Sequence, residues 1–217
     1  VRNCVFYNND AKDLNASAEI ERGGGMYIGN PSLAMTDCIF TNNTTTNDQG
    51  GAVYVAGGDG KTYAMTNCTF RNNMSSGSDG GAVYIADGAL LSVVGCSFVT
   101  NFADSSGGAL MFLQANVADN PPVWLVNSVF TNNTARRGDA GAVYVAGNFG
   151  AAVVTNCSFH VNACDNLGGG MRFGSGTSLT VVDCSFIANT ATNQDGSAEV
   201  ENGGGFYVDS ANLTVRN

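Results

Sequence analysis

The sequence predicts an all-β chain wound as a solenoid, and three recurring words predict it. Asn3-Cys4-Val5-Phe6-Tyr7-Asn8-Asn9 returns from Asp37, Asn67, Gly95, Asn127, Asn156 and Asp183, with Ser128 in place of one Cys. The intervals are 34, 30, 28, 32, 29, 27 and, counted to Asn217, 34 residues. A Gly-Gly-Ala-Val-Tyr-Val word lies inside each interval, as in Gly50 to Val55 and Gly80 to Ile85. A third word precedes each Cys and is apolar at alternate positions, as in Leu179-Thr180-Val181-Val182. Self-similarity at a fixed spacing outranks single-residue propensity, because each unit must bury its apolar side against the next.

Each word is short, alternates with period two and is bounded by Gly, Asn or Asp, which is the pattern of strands. Cys4 and Phe6 share one face, as do Val53 with Val55 and Leu213 with Val215. Stacked about 4.8 Å apart, such strands bury those columns in a common interior. The expected architecture is a right-handed parallel β-helix of about seven coils of 27–34 residues, three short strands each, spanning residues 1–217 as one segment. Leucine-rich repeats are disfavoured because the leucines miss the required offsets, and propellers because blades need four strands per unit.

The columns then acquire roles. The residue before each Cys is Asn, Asp or Gly, the types that best tolerate a left-handed backbone, so a corner belongs there. The Asn of Phe-x-x-Asn recurs as Asn9, Asn43, Asn73, Asn101, Asn133, Asn162 and Asn189. Stacked amides bond to the coils above and below, so these read as a structural ladder. The middle glycine of the second word (Gly24, Gly51, Gly81, Gly108, Gly141, Gly169, Gly204) reads as a turn requirement. Cys4, Cys38, Cys68, Cys96, Cys157 and Cys184 read as small buried residues, because in-register strands hold Cβ atoms wider than a disulfide prefers.

On the outer side of the second word, Tyr27, Tyr54, Tyr84, Tyr144 and Tyr207 share a column with Met111 and Arg172. That stripe is a candidate contact surface for a sugar ring or a neighbouring protomer, beside the plainer reading of stacking that steadies the sheet.

Composition narrows the function. Nine basic against eighteen acidic residues give a net charge of −9, which removes nucleic acid and anionic membranes as partners. No apolar run approaches the roughly 18 residues of a membrane span, and the opening Val1-Arg2-Asn3-Cys4 shows no leader pattern. A single histidine, His160, excludes multi-histidine metal sites; no metal and no cofactor are expected. The aspartates before the second word (Asp48, Asp79, Asp104, Asp139, Asp165, Asp195) read as turn formers, since the nonapeptide calcium repeat is absent.

Phe-x-x-Asn paired with Gly-Gly-Ala-[Ile/Leu/Val] resembles the repeat of the chlamydial polymorphic outer-membrane proteins and similar surface proteins, across all seven units. The resemblance implies a right-handed β-helix, an extracellular or cell-surface location, and adhesive or structural roles. Ala140 replaces the first glycine in one unit, and Gly25, Gly170 and Gly205 replace the alanine in three.

Sequons fall at Asn15, Asn42, Asn43, Asn67, Asn73, Asn132, Asn156 and Asn212. Asn43 and Asn73 belong to the ladder, which leaves Asn15, Asn42, Asn67, Asn132, Asn156 and Asn212 as glycosylation candidates. Val1-Arg2-Asn3 recurs as Val215-Arg216-Asn217, so both ends read as uncapped and the chain as part of a longer array or a head-to-tail filament whose partner is itself. Residues 17–23 resemble residues 197–203, and stacking end to end would bring their carboxylates together, inviting a divalent cation. The expected function is a structural, extracellular rod rather than an enzyme. A carbohydrate-binding adhesin is the alternative, and a polysaccharide lyase or hydrolase the third, disfavoured because the basic residues are scattered and no acidic pair shares the column of Arg172.

Overall fold

A computed structural model describes residues 1–12, 21–58, 60–87, 90–114, 122–192 and 202–217. Within them the secondary structure is strand throughout, and every pairing is parallel, gathered into three sheets. One sheet stacks seven three-residue strands, from Val5–Tyr7 to Ser185–Ile187, with Phe over Phe at each step. A second stacks seven two-residue strands, from Asp10–Ala11 to Thr190–Ala191. The third is a 12-stranded sheet that carries both the Gly-Gly-Ala word and the word before Cys. In the last two coils those words fuse into the long strands Met171–Val182 and Phe206–Arg216.

The first five coils therefore have four strand segments rather than three, because the Cys word breaks in two, and the fused strands return the last two coils to three. The break lies at Asn8, Asn42, Asn72, Thr100, Asn132, Val161 and Ala188, all at φ between 53° and 58°. The corner expected before each Cys is present in every coil, at φ between 50° and 63° from Asn3 to Asp183. Five of the seven rungs in the stacked sheets have a neighbour on both sides, and they hold most of the fully buried residues.

The second word corrects the reading of its glycines. The left-handed residue is the first one, from Gly23 to Gly203, with Ala140 taking φ 58° in the unit that lacks glycine. The middle glycine is needed for space: a Cβ on Gly108 would lie 2.1 Å from the carbonyl oxygen of Gly141 in the next coil. Backbone meets backbone along that ridge, so no side chain fits.

The interior is a set of columns. Phe6, Phe40, Phe70, Phe98, Phe130, Phe159 and Phe186 stack with centroids 4.5–5.0 Å apart and planes within 8° of parallel. Offset aromatic stacking is a favourable arrangement, and strand spacing imposes it here. All seven cysteines are free thiols. Their column is not merely apolar: Cys38, Cys68 and Cys157 donate from Sγ to the carbonyl two residues back, at 3.2–3.3 Å. Ser128 makes the same bond at 2.9 Å and accepts the amide of Cys96 in the preceding coil at 3.1 Å. A small side chain able to donate and accept at a tight corner is what Cys and Ser have in common.

Candidate functional site: the asparagine ladder and the outer tyrosine stripe

The Phe-x-x-Asn column forms an unbroken chain of amides. From Asn43 to Asn189 the Oδ1 of each Asn accepts both the backbone amide and the Nδ2 of the Asn one coil earlier, at 2.8–3.1 Å. Each Nδ2 from Asn43 onward also donates to the carbonyl of the Phe one coil back, as Asn101 does to Phe70 at 3.1 Å. Asn43, Asn73, Asn133 and Asn162 are wholly buried, and Asn101 nearly so. The ladder satisfies amides that the left-handed break would otherwise leave orphaned.

The tyrosine column differs from the open platform its outward direction suggests. Tyr54 and Tyr84 are 4% and 7% exposed, and with Met111 they form a small second apolar cluster outside the sheet. Tyr27, Tyr54 and Tyr84 stack face to face with centroids 5.4 Å apart, so the ring faces are taken by their own neighbours. Tyr27 is the exception, 55% exposed. Burial, with Asp79 second, pushes the Tyr84 hydroxyl up to about 12; burial also raises Tyr54 and Tyr144. Outward direction failed to mean exposure because side chains one rung apart lie flat on one another.

Cations enter the same stripe at two places. Arg22 lies 4.6 Å over the Tyr54 ring, and its Nε donates to both carboxylate oxygens of Asp48 at 3.1 and 3.2 Å. Arg172, which replaces Tyr in the column, sits 4.9 Å from the Tyr144 centroid and 5.7 Å from that of Tyr207. No acidic pair shares its column, but two carboxylates from outside that column bracket it. It bonds Asp139 through Nη1 and Asp209 through Nη2 at 3.1 Å. Burial raises the carboxyl of Asp139 above its ordinary value, with the charge of Arg172 opposing. These partners stand 33 and 37 residues away in sequence, at offsets that only the coil register aligns.

The other sequence-derived positions fall as follows. Asp48, Asp79 and Asp139 each accept a backbone amide near the third corner, from Gln49, Ser106 and Leu167 at 2.8–3.1 Å. Asp104 is held by Arg136 and Arg137. His160 is half-buried on the outer face, in register with Thr131 and Ile187. Asn67, Asn132, Asn156 and Asn212 are exposed and Asn42 half-buried. Asn15, Asp195 and most of the segments 17–23 and 197–203 lie outside the described residues. Among the described residues no group of three or more His, Cys, Asp or Glu side chains is placed to hold a metal, and no helix is long and apolar enough to cross a membrane.

A parallel solenoid with a buried ladder and paired surface charges defines the class. Residues 1–186 match the family described as the right handed beta helix region, and the chain belongs to that family. No curated protein and no solved structure matches the chain.

Proposed function

We propose that this chain serves as a structural segment of an extracellular rod, in which the stacking of coils is itself the function. The observation that carries the reading is the destination of the recurring residues. Phe, Asn, Cys and Gly at repeating positions all go into contacts between one coil and the next, and the tyrosine stripe stacks on itself. Each interior coil presents upward the columns it receives from below, so it serves as a template for another, from this chain or from a second copy. In an extracellular setting Asn67, Asn132, Asn156 and Asn212 offer exposed amides for N-glycans, a partner class that mass spectrometry before and after deglycosylation reads directly.

Electron microscopy of native material tests the rod. Continuous filaments with an axial spacing of about 4.8 Å support it. Discrete short particles at every concentration would overturn it and return attention to ligand binding.

Right-handed β-helices are also used by polysaccharide lyases and hydrolases, and one cluster favours that second reading. Asp139, Arg172 and Asp209 join two carboxylates to a cation on the outer surface, beside Tyr144 and Tyr207. Turnover of acidic polysaccharides, lost on Asp209→Asn, would favour the enzyme; inert mixtures would leave the cluster as a clasp between coils.

A further inference from the structure

Four of the sequon asparagines fall at two corners of the coil. Asn67 and Asn156 occupy the corner before the Cys, at φ 52° and 50°, and Asn42 and Asn132 the break inside the Cys word, at φ 57° and 56°. A three-residue strand runs between these corners, so the two pairs line opposite edges of the phenylalanine sheet. On each edge the two members stand three rungs apart, about 14 Å at strand spacing. Three of the four are exposed, and Asn42 is half-buried.

Two further sequons, Asn43-Thr44-Thr45 and Asn73-Met74-Ser75, fall in the ladder, and their amides are bonded differently. An N-linked sugar replaces one of the two Nδ2 hydrogens of an asparagine. Asn43 uses both, donating to the Phe6 carbonyl and to Asn73 Oδ1 at 3.0 Å each. Asn73 likewise donates to the Phe40 carbonyl and to Asn101 Oδ1. A sugar on either would strand a buried acceptor, and it would have to fit where neither residue has any exposed surface. Asn156 instead donates to Asn127 Oδ1 at 2.9 Å from an exposed position, a bond that the one remaining hydrogen can still make.

We propose that Asn42, Asn67, Asn132 and Asn156 carry N-linked glycans, two on each edge of the phenylalanine sheet, while Asn43 and Asn73 stay bare. The proposal rests on the extracellular part of the reading above and not on the rod. The co-reactant is a polyisoprenoid-diphosphate oligosaccharide of the producing cell. Nδ2 bonds to the anomeric carbon and gives up a proton, the bond from that carbon to the diphosphate breaks, and the lipid diphosphate leaves. At the corners the sugar projects from the finished coil. Transfer to Asn43 or Asn73 before the coil closes keeps that rung from docking, so folded molecules are those in which the ladder was spared.

Native protein from the extracellular fraction, treated with peptide N-glycosidase in heavy-oxygen water, should show labelled aspartate at the four corner positions by peptide mass spectrometry. Asn43 and Asn73 should remain unlabelled. Two engineered sequons test the selection rule in a eukaryotic secretory host, with folding followed by circular dichroism. Val129→Thr completes a sequon at Asn127, an exposed corner at φ 52°, and should add one glycan. Ala103→Ser completes one at the buried Asn101, in a column that already holds Ser75, and the folded product should carry none there. Secreted native chains lacking label at any of the four corners, or folded chains glycosylated at Asn43 or Asn73, overturn the proposal alone. So does a glycan at Asn101 without one at Asn127. A native chain found only inside the cell, with every sequon bare, overturns the extracellular reading together with it.

Discussion

The inner asparagine column and the outer tyrosine column run side by side along one stack, yet they tolerate substitution very differently. Inside, all seven coils have Asn, because each amide is the partner of the next and a single change orphans groups on both sides. Outside, Tyr gives way to Met111 and then to Arg172, and each change is absorbed locally. Met111 fills apolar space between tyrosines, while Arg172 brings carboxylates from neighbouring coils. A column whose members bond to one another must be uniform, whereas one whose members only pack can vary.

The sharpest way to break this contrast is at mid-ladder. Asn101→Ala removes the acceptor for the Asn73 amides and the donor to Phe70 and Asn133. Several buried groups then lack partners, and urea unfolding should show a loss of about 4 kcal/mol. Asn9→Ala, at a half-buried end, should cost no more than about 1 kcal/mol. Equal losses at the two positions would show that the ladder does not act as a chain.

Arg172 comes next. Arg172→Met leaves the half-buried Asp139 without its cation and should cost about 2 kcal/mol at neutral pH. The pH dependence has a definite sign. Burial raises Asp139 in the folded state, so folding strengthens its hold on the proton. Its contribution is most favourable below the unfolded value of about 3.9 and declines as pH rises through the raised folded value. Without Arg172 that folded value climbs further, so thermal stability of the variant should fall behind wild type increasingly as pH rises. A constant gap across the pH range would exclude Asp139 as the cause.

The smallest effects should be gains. Val161 is a β-branched residue at φ 54°, where Asn8, Asn42, Asn72 and Asn132 occupy the equivalent corner, and it is 53% exposed. Val161→Asn should stabilise by about 1 kcal/mol in chemical denaturation. Tyr63 points into the interior, wholly buried, and its hydroxyl has no hydrogen-bond partner among the described residues. Tyr63→Phe should raise stability slightly, by less than about 1 kcal/mol, in the same assay.

The repeat made the coil legible in the sequence, because strand words, the corner before each Cys and the amide column all recur in fixed phase. The second break inside the Cys word was hidden: Asn at position 8, 42, 72 or 132 looks like part of the ladder motif, and Thr100, Val161 and Ala188 give no turn signal at all. The site was harder still. Alternation assigns Tyr54 to the outside but says nothing of neighbours that lie flat against it. Arg172 reads as isolated until the register sets Asp139 and Asp209 on the adjacent coils.

The amide ladder also has a sense of direction. From Asn43 to Asn189 each Oδ1 accepts from the coil before, and from Asn9 to Asn162 each Nδ2 donates to the Asn of the coil after, so the amide-to-amide bonds all run one way along the axis as peptide dipoles do in a helix. One end of the column is partially negative and the other partially positive, and the two faces of any coil are chemically unlike. A following coil joins the ladder only if it presents an acceptor to the donor end. The solenoid is thereby polar along its axis, and a coil offered upside down would meet the ladder donor to donor or acceptor to acceptor.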